Sequence, residues 1–113
     1  MQDGIYNAKV EKAKLEFEDH GCLCLNLYLE HEGGYQAFGG INLISKFQKE
    51  FKPDGGDYTG WYIKRVFDVC GVDSMDELPG QAVRIKLENG IIRAIGNIIR
   101  DDWFEPRADF KKD

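Results

Sequence analysis

The chain has 113 residues, and 42% of them are hydrophobic, including seven phenylalanines. This length and apolar content suit a single domain with its own core, which we predict over about residues 4–110. With 15 basic against 20 acidic side chains and a net charge of −5, the chain lacks the surplus of Lys and Arg that non-specific binding to a phosphate backbone needs. A local basic face is compatible with this balance.

The cysteines and the N-terminal sequence indicate the cellular location. Three cysteines form an odd set without a C-x-x-C pair, and the first residues, MQDGIYNAK, contain no apolar signal region. Both features predict a reduced, cytoplasmic environment. No apolar run approaches the roughly 20 residues of a membrane-spanning helix, so we predict no membrane partner.

The first predicted strand changes phase near its middle. Between residues 4 and 18 the apolar side chains occupy even positions as far as Val10 and odd positions from Ala13 onward. A β-bulge near Glu11 and Lys12 would produce this change and would let the strand bend sharply.

The second predicted strand, residues 22–29, alternates strictly between leucine and other residues. A three-residue loop at residues 19–21, with Gly21 in the left-handed region, would join it to the first strand as a hairpin. The register of this hairpin then pairs Phe17 with Leu23, Leu15 with Leu25, and Ala13 with Leu27.

A third strand is predicted between two glycine pairs. Glycines 33–34 make a turn, and residues 35–38 return along the second strand. The second pair, glycines 39–40, predicts a bend or a close approach of another backbone, and residues 41–43 continue the strand beyond it.

A helix is predicted over residues 61–70. Asp57 or Thr59 is the expected N-cap, and Gly71 ends the helix. Apolar side chains at helical spacing form the stripe that we expect to be buried. The stripe consists of Ile63, Val66, Phe67 and Cys70.

The most specific local signal is Asn89-Gly90, which is typical of a two-residue type I′ turn because both residues tolerate positive φ. It predicts a hairpin within residues 79–100. The apolar face of this hairpin pairs Leu87 with Ile92, Ile85 with Ala94, and Val83 with Gly96. The other face carries Arg84, Lys86, Glu88 and Arg93 with Ile91 and Ile95.

The predicted order of elements is β-β-β-α-β-β, a mainly β fold with one helix. This order matches the five-stranded Greek-key barrel of the OB type, in which the helix lies between the third and fourth strands. We therefore predict an OB-like barrel. An open antiparallel sheet with the helix packed on one face uses the same elements and is the alternative.

Four segments carry a resemblance to known proteins. They read LPGQAVRIKLE at residues 78–88, AIGNII at 94–99, DWFEP at 102–106 and GIYNAKV at 4–10. In these segments the chain resembles small proteins encoded by bacteriophages and prophages, many of unknown function, and is distantly similar to phage OB-like single-strand DNA-binding proteins. The resemblance implies a phage or prophage origin, and a location in the cytoplasm of the bacterial host.

One candidate site is the polar face of the last hairpin. Arg84, Lys86 and Arg93 would supply positive charge for phosphates, while the rings of Tyr28 and Tyr35 would supply surfaces on which bases stack. This face predicts the alternative function, a single-stranded nucleic-acid-binding module. The simpler interpretation is a solvated strand face, because alternating charge is common on exposed strands.

The other candidate site is acidic and aromatic. Carboxylates beside aromatic anchors suit the basic nucleic-acid-binding groove of another protein. The predicted surface comprises Glu16, Glu18, Asp19, Asp101, Asp102 and Glu105, with Trp103 and Phe104 as anchors. Together with the net charge, it predicts a counter-defence factor, whereas the resemblance favours the single-strand-binding alternative. Such a factor inhibits a host immune protein, in the manner of an anti-CRISPR inhibitor, or captures a small nucleotide.

Metal binding and catalysis have little support in the sequence. His20, Cys22 and Cys24, with His31 nearby, lack the close-pair spacing of structural zinc sites. The sequence shows no Gly-rich phosphate loop, no nucleophile elbow and no set of nucleophile, base and orienting residue. We predict no enzyme, no metal and no cofactor, and the sequence does not indicate an oligomeric state.

Overall fold

A computed structural model of the protein describes residues 2–18, 20–51 and 58–110. These residues form seven strands, two helices and a 3₁₀ turn at Met75–Glu77. The strands are β1 (Gly4–Phe17), β2 (Cys22–His31), β3 (Gly34–Phe38), β4 (Ile44–Ser45), β5 (Ala82–Glu88), β6 (Ile91–Asn97) and β7 (Trp103–Phe104), and the helices are α1 (Tyr58–Cys70) and α2 (Pro106–Asp109).

The strands form one antiparallel sheet in the order β3-β2-β1-β5-β6-β7, with β4 paired to the start of β2. A mainly β fold with one main helix is therefore confirmed, and the sheet is open. Among the described residues no strand ladder joins β3 to β6, which is the pairing that would close a barrel. The side chain of Gln36 spans this gap, donating to the carbonyl of Gly90 at 2.9 Å and accepting from the amide of Ile92 at 2.7 Å.

The first hairpin has the predicted register. Phe17 lies opposite Leu23, Leu15 opposite Leu25, and Ala13 opposite Leu27. The bulge is also confirmed, because Val10 pairs with Leu29 while Lys12 pairs with Tyr28, which leaves Glu11 as the extra residue. Gly21 adopts the left-handed conformation at φ 77°, whereas Asp19 of the same loop lies outside the described residues.

The second hairpin has the predicted turn but a different register. Asn89 and Gly90 have φ values of 53° and 78°, and Leu87 lies opposite Ile92. The pairing then shifts by one residue because Arg93 forms a bulge. The predicted pairs of Ile85 with Ala94 and of Val83 with Gly96 are therefore wrong. In the structure Ile85 lies opposite Ile95, Lys86 opposite Ala94, Arg84 opposite Gly96, and Val83 opposite Asn97.

The sequence predicted that residues 41–43 continue the strand beyond β3. In the structure these residues are not part of a strand. The amide of Leu43 donates to the carbonyl of Leu23 at 2.9 Å, and a ladder with β2 resumes in β4, where Ile44 lies opposite Leu23. The physical reason is the conformation at Gly39 and Gly40, whose φ values of 138° and 76° interrupt the ladder, so that the amide of Gly40 donates to the side-chain oxygen of Asn26 at 2.7 Å. A side chain at Gly39 would also meet the carbonyl oxygen of Leu25 at 2.5 Å, so both predicted roles of the glycine pair apply.

Helix α1 begins earlier than predicted, at Tyr58, so Thr59 lies inside it, and Asp57 lies outside the described residues. The buried stripe is rotated from the predicted one. Tyr62, Val66, Val69 and Cys70 are buried, whereas Ile63 and Phe67 are half-buried. Gly71 ends the helix at φ 71°, as predicted.

The core lies between α1 and one face of the sheet. At its centre the ring of Phe104 meets that of Tyr62 edge-to-face at 5.1 Å and that of Phe38 at 6.4 Å between centroids. The core also contains the inward side chains of β1, β2, β5 and β6. No helix in the described part of the chain has the length and apolar character needed to cross a membrane.

Candidate functional site

The outer face of the sheet, turned away from this core, brings together residues from opposite ends of the chain. Residues directly opposite each other in a ladder share a face. Arg84 of β5 lies opposite Gly96 of β6, and Gly96 lies opposite Trp103 of β7. Lys86 follows two residues after Arg84 and shares its face, where Ile5 of β1 lies opposite it. The ladders therefore place a tryptophan beside two basic side chains.

The ring of Trp103 lies directly on the backbone of Gly96. A Cβ atom at Gly96 would come within 2.6 Å of Cδ2 of the indole, so a side chain there would displace the ring. The Cζ atom of Arg84 lies 4.9 Å from the ring centroid, and the Nζ atom of Lys86 lies 4.4 Å from it. Both are cation–π contacts. We call Trp103, Arg84, Lys86 and Gly96 the tryptophan cluster.

The two cations of the tryptophan cluster are not neutralised by carboxylates. The guanidinium of Arg84 donates from Nε to the carbonyl of Asn97 at 2.8 Å and from Nη2 to that of Arg100 at 2.7 Å. Carbonyls orient this group without cancelling its charge. Within residues 2–18, 20–51 and 58–110, neither Arg84 nor Lys86 forms an ion pair. Both positive charges therefore remain available to an anionic ligand.

A second group of aromatic and basic side chains lies on the outer face of β1, β2 and β3. The rings of Tyr28 and Tyr35 stack at 6.5 Å between centroids with their planes inclined by 22°. The Nζ atom of Lys12 lies 4.8 Å from the ring centroid of Tyr28. Tyr35 is 56% exposed, so its ring is open to a stacking ligand. We call Lys12, Tyr28 and Tyr35 the tyrosine cluster.

Between the two clusters the outer face carries an acidic pair. Glu11 and Glu30 lie side by side, and a hydrogen bond with the Glu11 carboxyl together with the repulsion between the two groups raises the pKa of Glu30. The Nζ atom of Lys9 lies 4.0 Å from Glu11 and partly offsets the charge. A nucleic acid on this face would meet basic and aromatic groups at both ends and carboxylates at the middle.

The sequence predicted Arg93 on the same face as Arg84 and Lys86. This prediction is wrong, because Arg93 is the bulge residue of β6 and has no partner in the ladder. Its side chain lines a groove of about 430 Å³ together with Lys86, Ile5 and Glu105. Its Nε atom is buried and has no hydrogen-bond acceptor among the described residues. Arg93 therefore lies at the margin of the outer face.

Several side chains of the predicted acidic surface at the C-terminal end are held by contacts within the protein. Phe104, predicted as an anchor, is fully buried because its ring fills the core. Asp102 accepts from Nη2 of Arg65 at 2.6 Å, and this hydrogen bond raises the pKa of Arg65. Asp101 accepts from the indole Nε1 of Trp103 at 3.1 Å. Glu105 is half-buried.

The remaining predicted carboxylates lie at the tip of the first hairpin. Glu16 is exposed, and Glu18 accepts a hydrogen bond of 2.5 Å from the side-chain amide of Asn26. Asp19 lies outside the described residues. The carboxylates near β7 lie in another part of the sheet. Strand β7 pairs with β6, β6 pairs with β5, and β5 pairs with residues 4–9 of β1, which the bulge separates from the hairpin tip. The predicted acidic residues therefore belong to two separate parts of the sheet.

Sequence reasoning missed the two residues that organise these clusters. Gly96 was placed on the core face opposite Val83, although a glycine between strand-forming residues is itself a sign of close approach. Lys12 was noted only as a bulge position. The bulge puts Lys12 opposite Tyr28, which is a relation that becomes visible only when the register is known.

The cysteine and histidine residues do not form a metal site. Among the described residues, no group of three or more His, Cys, Asp or Glu side chains is placed to hold a metal ion. Cys24 is buried, and burial raises the pKa of its thiol, which disfavours the thiolate that a metal requires.

No protein-family model, curated protein or solved structure matches this chain. The resemblance to phage proteins therefore stays a prediction. The function proposed below rests on the geometry of the outer face.

Proposed function

We propose that this protein is a non-enzymatic binding module for single-stranded nucleic acid and that the outer face of the sheet is its binding surface. The observation that carries the proposal is the tryptophan cluster, in which two cations without carboxylate partners flank a half-exposed indole. Single-strand binding combines these two elements, positive charge for the backbone and aromatic surfaces for the bases. The tyrosine cluster supplies a second such combination on the same face.

The order of the elements supports an OB-like interpretation of the open sheet. Apart from the two-residue strands β4 and β7, three strands, a helix and a hairpin follow each other as in the OB fold, and β1 pairs with both β2 and β5. In this proposal the hydrogen bonds of Gln36 to Gly90 and Ile92 take the place of the ladder that would close the barrel. Residues on the outside of such a fold are accessible to an extended strand.

The net charge of −5 sets limits on the affinity. Only a few phosphates can be contacted by Lys12, Arg84 and Lys86, so we expect dissociation constants in the micromolar range. The salt dependence should be shallow, because each phosphate contact on a single strand contributes about 0.7 to the slope of log K against log salt concentration.

Fluorescence anisotropy with a labelled single strand of about 12 nucleotides, within the range of known OB-fold site sizes, tests the proposal. Lys86→Gln is the informative variant because the Lys86 ammonium contacts the indole of Trp103 and forms no ion pair within the described residues. We expect it to weaken binding about threefold to tenfold and to lower the salt slope by about 0.7. Arg84→Gln is less clean, since Arg84 also anchors two backbone carbonyls.

The matched control is Lys49→Gln, which removes one exposed lysine away from the sheet. It should leave both the affinity and the salt slope unchanged. Absence of binding by the unaltered protein at low salt would refute the proposal. Equal effects of Lys86→Gln and Lys49→Gln would show that binding depends on total charge and not on the outer face.

A second candidate is the predicted inhibitor of a host immune protein, whose partner would offer a basic groove. In its favour, Glu16 at the tip of the first hairpin is exposed and forms no ion pair within the described part of the chain. The geometry supports this candidate less well, because Phe104, one of the two aromatic anchors predicted for it, is fully buried in the core. If single strands do not bind, Glu16→Lys is the first change to test against a basic protein partner.

A further inference from the structure

A cleft of about 280 Å³ is lined by residues of both β3 and β6, the two strands between which the sheet stays open. Residues 37–39 line one side of it and residues 91–93 the other, and Ile41, Pro106 and Arg107 complete the lining. Its volume is near the lower end of the range for small-molecule sites, which are mostly apolar with a few polar groups. We call this space the edge cleft.

Apolar side chains form most of the edge cleft. Phe38, Ile92 and Pro106 are buried, whereas Ile91 is 49% exposed. The two hydrogen bonds of Gln36 join the strands directly beside the cleft, because Gln36 precedes residues 37–39 and bonds to Gly90 and Ile92. The apolar surface is therefore already formed before any ligand binds.

Two arginines supply the charge of the edge cleft. Arg93 and Arg107 belong to the lining, and no carboxylate does so in the part of the chain that the structure describes. Neither arginine forms an ion pair among residues 2–18, 20–51 and 58–110. The Nε atom of Arg93 is buried without an acceptor among the same residues. A buried donor without a partner costs free energy, which an anionic ligand would recover.

The carboxylates of this region belong to a different cavity. Asp3, Glu88 and Glu105 line the groove of about 430 Å³ that Arg93 shares with Lys86, and none of them lines the edge cleft. None forms an ion pair with Arg93 in the described structure. The described lining of the edge cleft is therefore apolar and positively charged.

We propose that the edge cleft binds a small amphipathic anion, which consists of an apolar body and one carboxylate or phosphate group. The apolar body packs against Phe38 and the two isoleucines of β6, and the anionic group accepts hydrogen bonds from Arg93 and Arg107. A guanidinium matches the oxygens of either anion with two parallel hydrogen bonds. This site is separate from the tryptophan cluster and does not depend on the proposed function.

The test uses the dye anilinonaphthalene sulfonate, whose aromatic rings stand for the apolar body and whose sulfonate stands for the carboxylate or phosphate. Its fluorescence rises when the rings leave water, so a titration gives the dissociation constant, which we expect in the micromolar range. Arg107→Gln should weaken binding about fivefold, the upper end of the effect of an exposed ion pair. Because Arg107 is exposed, this substitution should not affect folding.

Two controls separate charge recognition from other effects. Phenylnaphthylamine has the same rings without the sulfonate, so Arg107→Gln should leave its affinity unchanged. Lys49→Gln removes one exposed positive charge away from the edge cleft and should leave the affinity for the sulfonate dye unchanged. Equal weakening of the two dyes by Arg107→Gln, or equal effects of Arg107→Gln and Lys49→Gln on the sulfonate dye, would overturn the inference.

Competition distinguishes the two kinds of anion. Displacement of the dye by octanoate would support a carboxylate ligand, and displacement by adenosine monophosphate would support a phosphate ligand. If the dye does not bind, or if neither competitor displaces it, the inference is wrong. No nucleic acid strand takes part in these titrations, so their outcome is independent of single-strand binding.

Discussion

At the scale of single residues, Gly96 is the position on which the binding surface depends most directly. Gly96→Ala would place a methyl group 2.6 Å from the indole of Trp103. The ring must then move away from Arg84 and Lys86, so both cation–π contacts weaken. We expect the free energy of unfolding to fall by about 1–2 kcal/mol, as is usual for overpacking. Binding of a single strand should weaken to the same degree as in Lys86→Gln.

A double-mutant cycle provides the control for Gly96→Ala. In a Trp103→Leu background the added methyl meets a smaller and more flexible side chain, so the same substitution should cost less stability. Urea denaturation measures all four variants. An equal cost in both backgrounds would mean that strain at Gly96 comes from somewhere other than the tryptophan ring.

At the scale of elements, the open edge between β3 and β6 depends on the side chain of Gln36. Gln36→Ala would leave the amide of Ile92, a buried residue, without its acceptor and the carbonyl of Gly90 without its donor. Loss of such partners destabilises proteins by about 1–3 kcal/mol. We therefore expect a lower urea midpoint together with faster hydrogen exchange at the Ile92 amide.

Gln48→Ala is the comparison for this prediction, since the side chain of Gln48 is exposed and, among the residues that the structure describes, donates to the carbonyl of Glu50 alone. It should change the stability little. If the two substitutions had equal effects, the link between β3 and β6 would not contribute to stability.

The two hairpins show how much of the fold and of the site can be predicted from the sequence. In the first, the alternation of leucines and the position of Gly21 indicate the same register, and the prediction was correct. In the second, the turn at Asn89 and Gly90 was correct, but alternation carries no trace of the bulge at Arg93. Because of this one extra residue, Ile95 lies in the core and Gly96 on the outer face. The contact of Gly96 with Trp103 could therefore not be predicted from the alternation.

Two features depend on contacts between residues that are distant in sequence. One is whether the sheet closes, and the other is which aromatic side chains are buried. Phe104 and Trp103 are neighbours in the chain, yet one fills the core and the other lies on the outer face. Strand alternation predicts that their side chains diverge, but it does not indicate which one points inward. In the structure Phe104 points inward against Tyr62 and Phe38, and Arg65 holds the backbone of this segment by donating to the carbonyl of Trp103 and the carboxylate of Asp102.

At the scale of the whole molecule, the net charge of −5 opposes the approach of a nucleic acid even where the outer face attracts it. Asp73 and Asp76 are exposed in the segment between α1 and β5 and form no ion pair in the described structure. Replacing both with Asn changes the net charge from −5 to −3 without touching either aromatic cluster.

We expect the Asp73→Asn, Asp76→Asn variant to bind a single strand about twofold more tightly at low salt, where the Debye length is about 30 Å at 0.01 M. At about 1 M salt the Debye length falls to about 3 Å, and the difference from the unaltered protein should vanish. The gain should appear in the association rate, because long-range repulsion acts on the encounter and not on the bound contacts. Stopped-flow fluorescence at the two salt concentrations measures this rate. A gain that persisted at high salt would instead place Asp73 or Asp76 in direct contact with the nucleic acid and would move the binding surface away from the outer face.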